Sequence, residues 1–148
     1  MIVYNKQVVN IMAFLARLQL GDNDSGLYSK EYLVADCRLH FARHHNHFAP
    51  DTDARCERVE MVVVAPGRND LTLYEWYIDQ TTLSGRIVFD LQSESGEQVS
   101  KYVVFNDAHC YSISEDYHVD QTKRRSIRFA FVSEQIVVND TEFTNLYG

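Results

Sequence analysis

The sequence predicts a mainly β protein: an antiparallel β-barrel of six or seven strands with one α-helix between the third and fourth strands. Three features predict it. Apolar and polar residues alternate with the two-residue period of half-buried strands through most of the chain. Short clusters of Gly, Asn, Asp and Ser interrupt that alternation where hairpin turns belong. One stretch, at about 70–81, spaces its apolar residues as a helix does. Strands in this number close into a barrel or sandwich to remove their edges, and a single helix can plug an open end.

Taken in order, residues 14–20 alternate as a first strand, and the turn-rich segment 21–26 reads as a hairpin connection. A longer strand over about 31–45 places Leu33, Ala35, Cys37, Leu39 and Phe41 on one face, with Asp36, Arg38 and His40 on the other. Residues 57–65 begin with the same alternation and end as an apolar run, as in a strand whose second half is covered on both sides, until Pro66 and Gly67 stop it. In the helix, Asn69 or Asp70 can accept from the first free backbone N–H groups, and Leu71, Tyr74 and Ile78 join Leu73, Trp76 and Tyr77 at helical spacing. Leu73, Trp76 and Tyr77 are expected to pack the helix on the barrel, with Trp76 largely buried, while Glu75 and Asp79 mark the wet side. Alternation returns at 86–92, turns at 93–96 into 99–106, and ends in a pair covering about 108–118 and 125–138, joined by the polar segment 120–124.

Composition removes several function classes. A chain of 148 residues with 45% hydrophobic and 24% charged residues suffices for a core, and no linker or second domain is visible among its two prolines and six glycines. The 14 Lys and Arg against 21 Asp and Glu leave a formal charge of −7. A nucleic-acid or anionic-membrane partner calls for the opposite sign. Cys37, Cys56 and Cys110 are odd in number and widely spaced, which indicates neither a disulfide framework nor a zinc site and suits a reducing compartment at synthesis. The amino terminus shows no classical export signal, and no run approaches the ~20 apolar residues of a spanning helix.

Candidate chemistry is thin. His40, His44, His45 and His47 are the obvious metal ligands to consider, but on a strand His40 and His44 stand roughly 13 Å apart and His45 and His47 face the other way. His109 and Cys110 are neighbours on a strand, so they point to opposite faces and form no nucleophile–base pair. No Gly-rich phosphate loop or serine elbow is present, and Glu94, Glu97, Glu115 and Asp116 read as carboxylates of solvated turns. Neither a catalytic site, a cofactor nor a metal is therefore expected, and an assembly subunit fits the pattern.

Five stretches carry a family resemblance. Residues 12–20 and 31–41 are similar to the first two strands of the Hcp (TssD) family in its compact Bacteroidetes form, and residues 70–78, Asp-Leu-Thr-Leu-Tyr-Glu-Trp-Tyr-Ile, resemble its Asp-x-Ser-Leu-Phe-Glu-Trp-Met helix opening. The strand at 84–89 follows at the expected distance, and 125–136 resembles the last strand. The family's Gly-Arg-Pro-Ser-Ser segment is replaced here by residues 47–55. The resemblance implies one Hcp-like domain over 12–148, with 1–11 either an added arm or an upstream start. It also implies hexameric rings stacked into the inner tube of a type VI secretion system, within a contractile sheath and beneath a VgrG spike. Such a protein is made in the cytoplasm, expelled without a signal peptide, and can carry effectors. The alternative is a monomeric β-barrel that binds a small apolar ligand or a partner protein, with an enzyme third.

Charge suggests where copies would meet. Six chains of −7 repel unless basic groups gather at the contacts. Lys123, Arg124 and Arg125 cluster before the last strand, and Arg55 and Arg58 flank the third. These five residues are the expected oligomer contacts, facing acidic turns of a neighbour.

Overall fold

In the computed structural model, alternating side chains on β1 bury Ala16, Leu18 and Leu20 inside the molecule and leave Arg17 and Gln19 on its surface. The structure describes residues 15–42, 45–46, 49–50, 55–92, 96, 98–117, 125–138 and 141–144. The elements are β1 (Leu15–Asp22), β2 (Leu27–Ala42), β3 (Arg55–Val64), α1 (Thr72–Ile78), β4 (Thr82–Gln92), β5 (Gln98–Tyr117), β6 (Arg125–Val132), β7 (Gln135–Val138) and β8 (Thr141–Thr144). A two-residue ribbon, His45–Asn46 against Ala49–Pro50, follows β2.

The strands β5, β4, β1, β2, β3 and β6 pair in that order, and β6 pairs back onto β5, so six antiparallel strands close a ring. The helix lies between the third and fourth strands, as the sequence predicts. Strand β7 continues the line of β6 along β5, and β8 adds a further strand to it. Register brings the inward residues together: Leu18 lies between Tyr32 and Ile87, and Met61 between Cys37 and Phe129. Inside, Phe105 and Phe131 have ring centroids 4.6 Å apart, and Trp76 of the helix stands 5.3 Å from Phe131 and 5.9 Å from Phe129. Burial of these large rings is the main apolar contribution to the fold.

The structure corrects four details of the sequence reading. On β2, Tyr32 and Val34 point inward while Leu33 and Ala35 are exposed, because a bulge between Val34 and Asp36 inserts one residue and reverses the parity. Beyond it Cys37 and Leu39 do face the core, while Phe41, near the end of β2 where the pairing with β3 skips Glu57, is exposed. The expected break near residue 107 is absent: Asp107 adopts a left-handed φ of 51° and its N–H donates to Ser84 Oγ at 3.0 Å, so β5 runs unbroken. The helix spans only Thr72–Ile78, and a two-turn helix presents a narrow stripe. Leu73 and Trp76 occupy that stripe, while Leu71, Tyr77 and Ile78 remain exposed.

Candidate assembly surface

Helix α1 fixes one end of the barrel through two polar ties. Asp70, one residue before the N-cap Leu71, accepts the N–H of Thr72 on Oδ1 at 3.0 Å, which satisfies one free donor of the first turn, and its Oδ2 accepts the Tyr32 hydroxyl at 3.0 Å, which ties that turn to β2. Burial pushes the Asp70 carboxyl up, but the Thr72 and Tyr32 hydrogen bonds and Lys30 at 3.8 Å outweigh it and hold it below the usual range. Burial, with the bond to Asp70, raises the Tyr32 phenol. At the other end of the helix, Trp76 Nε1 donates to the Ala108 carbonyl at 2.9 Å.

A second cluster joins three elements around Glu115. Its Oε2 accepts the Tyr117 hydroxyl at 3.0 Å and its Oε1 lies 3.3 Å from Arg125 Nε, while the Tyr74 hydroxyl of α1 stands close enough for the two groups to shift each other's titration. Tyr74, with Tyr117 and the Arg125 charge, lowers the Glu115 carboxyl against the upward pull of burial. Burial and the Glu115 carboxylate push Tyr74 up to about 12. Arg58 is held in a similar way: its Nε lies 3.4 Å from Glu60 Oε2, and His40 Nε2 meets the same carboxylate. Burial raises Glu60, but Arg58 and His40 more than offset that and lower it.

Of the expected contact residues, then, Arg58 and Arg125 are half-buried side chains at opposite edges of the β3–β6 region, each gripped by a glutamate. Arg55 begins β3 opposite Ala42, and its side chain is not described. Lys123 and Arg124 lie outside the described residues, as do His44 and His47.

Sequence reading missed a polar ladder across β2, β1, β4 and β5. Arg17 stands between Asp90 at 3.1 Å and Glu31 at 3.7 Å, and Gln19 accepts from Arg86 at 2.7 Å while donating to Glu31 at 2.8 Å. The Arg86 guanidinium lies 4.5 Å from the Tyr28 ring centroid and 5.1 Å from that of Tyr102. Alternate polar residues on β1 and β4 carry the signal, but pairing them requires the register.

His109 is exposed and Cys110 buried, and burial pushes the Cys110 thiol up, away from the reactive thiolate. Among the described residues no group of three His, Cys, Asp or Glu side chains is placed to hold a metal, and no helix is long and apolar enough to cross a membrane. An open groove of about 600 Å³ beside the helix end is lined by Tyr77, Ile78, Gln80, Thr81, His109, Cys110 and Tyr111.

Comparison with known proteins places this geometry. The family model described as hemolysin coregulated protein Hcp (TssD) matches residues 12–146. Hcp1 from Flavobacterium johnsoniae superposes with a TM-score of 0.63 at 18% identity, over 88% of this chain and 99% of that one. Hcp1 from Salmonella typhimurium gives 0.57 at 11% identity, over 84% of each chain. A type VI secretion system effector from Yersinia pestis gives 0.55 at 9%, over 84% and 87%. At such identities these likenesses establish the fold alone. No curated protein matches the chain.

Proposed function

Because the chain belongs to the hemolysin coregulated protein family, Hcp or TssD, a family of structural tube proteins, we propose that it is a ring-forming subunit of a type VI secretion tube. The observation that carries this reading is the family match across residues 12–146 of a closed barrel. Six copies close a ring, rings stack into the inner tube, and the tube is expelled from the cytoplasm with the spike, without a signal peptide, carrying effectors. The contractile sheath and the VgrG spike are its partners besides itself; it is not an enzyme and needs no cofactor. Residues 12–148 are the tube domain, and 1–11 are an added arm or an upstream start. The barrel interior is packed with Trp76, Phe105, Phe129 and Phe131, all at most 1% exposed, which favours a structural subunit over a barrel that holds an apolar ligand.

The chain carries −7, so copies meet through its basic groups, Arg55, Arg58, Lys123, Arg124 and Arg125, against acidic turns of a neighbour. Reversing Lys123, Arg124 and Arg125 to Glu tests this. The variant should fold as the parent does, since turn residues contribute little to stability, yet assemble only at higher concentration. Assembly equal to the parent's at both low and moderate salt contradicts the contact assignment.

A further inference from the structure

We infer that Glu115 is a positioning residue for assembly, holding the Arg125 guanidinium so that its outer edge faces an acidic group on a neighbouring copy. The inference rests on the proposed role of Arg125 as a contact and adds how that contact is prepared. A guanidinium has five donors in a fixed planar fork. Glu115 faces Nε at 3.3 Å, and among the described residues no hydrogen bond occupies the two terminal Nη groups, the edge suited to a bidentate bond with a second carboxylate. Arg125 is 33% exposed on its side chain, enough for such a carboxylate to reach it.

Glu115 is itself immobilised. Tyr117 holds Oε2 at 3.0 Å from the same strand, and the Arg125 carbonyl accepts the Ala65 N–H at 2.9 Å, pinning the arginine backbone to the end of β3. The carboxylate and the arginine backbone are thus each tied before association. A long side chain fixed before association loses less freedom on binding than one that must be ordered during it. An exposed ion pair by itself contributes little to stability, so presentation of Arg125 gives this cluster a role that stability does not.

The test is a double-mutant cycle on the full chain, read as the concentration at which assembly is half complete by light scattering, with the urea unfolding midpoint of each variant alongside. Arg125→Ala should raise that concentration about tenfold, and Glu115→Gln roughly threefold, the range expected for fixing one side chain. In the Arg125→Ala background Glu115→Gln should add nothing, since it acts only through the arginine. Tyr117→Phe, which removes one hydroxyl and keeps the ring, should shift assembly in the same direction as Glu115→Gln and serves where that variant folds poorly. If Arg125→Ala leaves assembly unchanged, the contact reading itself fails. If Arg125→Ala weakens assembly but Glu115→Gln and Tyr117→Phe do not, or add fully to it, the contact stands and the positioning role is wrong.

Discussion

The indole N–H of Trp76 donates to the carbonyl of Ala108 at 2.9 Å, so one side chain both fills the barrel mouth and satisfies the backbone of β5 where the chain passes through the left-handed Asp107. Trp76 is 1% exposed against Phe129 and Phe131. Trp76→Ala should therefore cost about 3–5 kcal/mol of unfolding free energy. Trp76→Phe, which keeps most of the apolar surface but leaves the Ala108 carbonyl unpaired, should cost about 1–3 kcal/mol more than a volume change alone. Urea unfolding of the two variants separates the terms; a near-neutral Trp76→Ala would show that the helix does not seal the barrel.

Gly85 of β4 lies tight against the backbone of β1. A Cβ placed there would lie 2.2 Å from the Gln19 carbonyl oxygen, a backbone atom that cannot swing aside. Gly85→Ala should destabilise by more than about 2 kcal/mol through this overlap. Gly26, with φ +74° and open space around it, should cost only about 1 kcal/mol for the same change. Equal unfolding midpoints for the two variants would contradict the register of β1 against β4.

Asp70 sets an acid dependence. Its carboxyl titrates below its ordinary range in the fold, so the unfolded chain binds the proton more readily and the fold loses stability as pH falls. The contribution is complete above the ordinary carboxylate pKa of about 4 and disappears as pH drops through the lower folded value. Asp70→Ala should cost about 1 kcal/mol at neutral pH, as loss of an acceptor at a helix start does, and the gap to the parent should narrow below about pH 4. Unfolding curves at neutral and acid pH that keep a constant gap would show that the charged carboxylate is not what anchors the start of α1.

Most of this architecture was legible because strand alternation and turn residues are local signals. The strands, the single helix and its place between the third and fourth strands follow from Leu18 and Leu20, from Val59, Met61 and Val63, and from Asp70 at the helix start. What was hidden depends on register. The bulge after Val34 leaves no mark in the alternation of Leu33, Ala35 and Cys37, yet it decides which of them reaches the core. Glu115 reads as a solvated carboxylate because nothing local to it shows that the pairing of β5 with β6 sets it beside Arg125. The basic candidates were legible as charges, whereas the glutamates that grip Arg58 and Arg125 were not.

The central claim is a subunit that assembles with copies of itself, and its mass in solution tests that most directly. Multi-angle light scattering on the full chain at micromolar concentration should give a species of six 17.2 kDa protomers, or multiples of it from stacked rings. A particle that stays at 17.2 kDa across the concentration range would contradict the account.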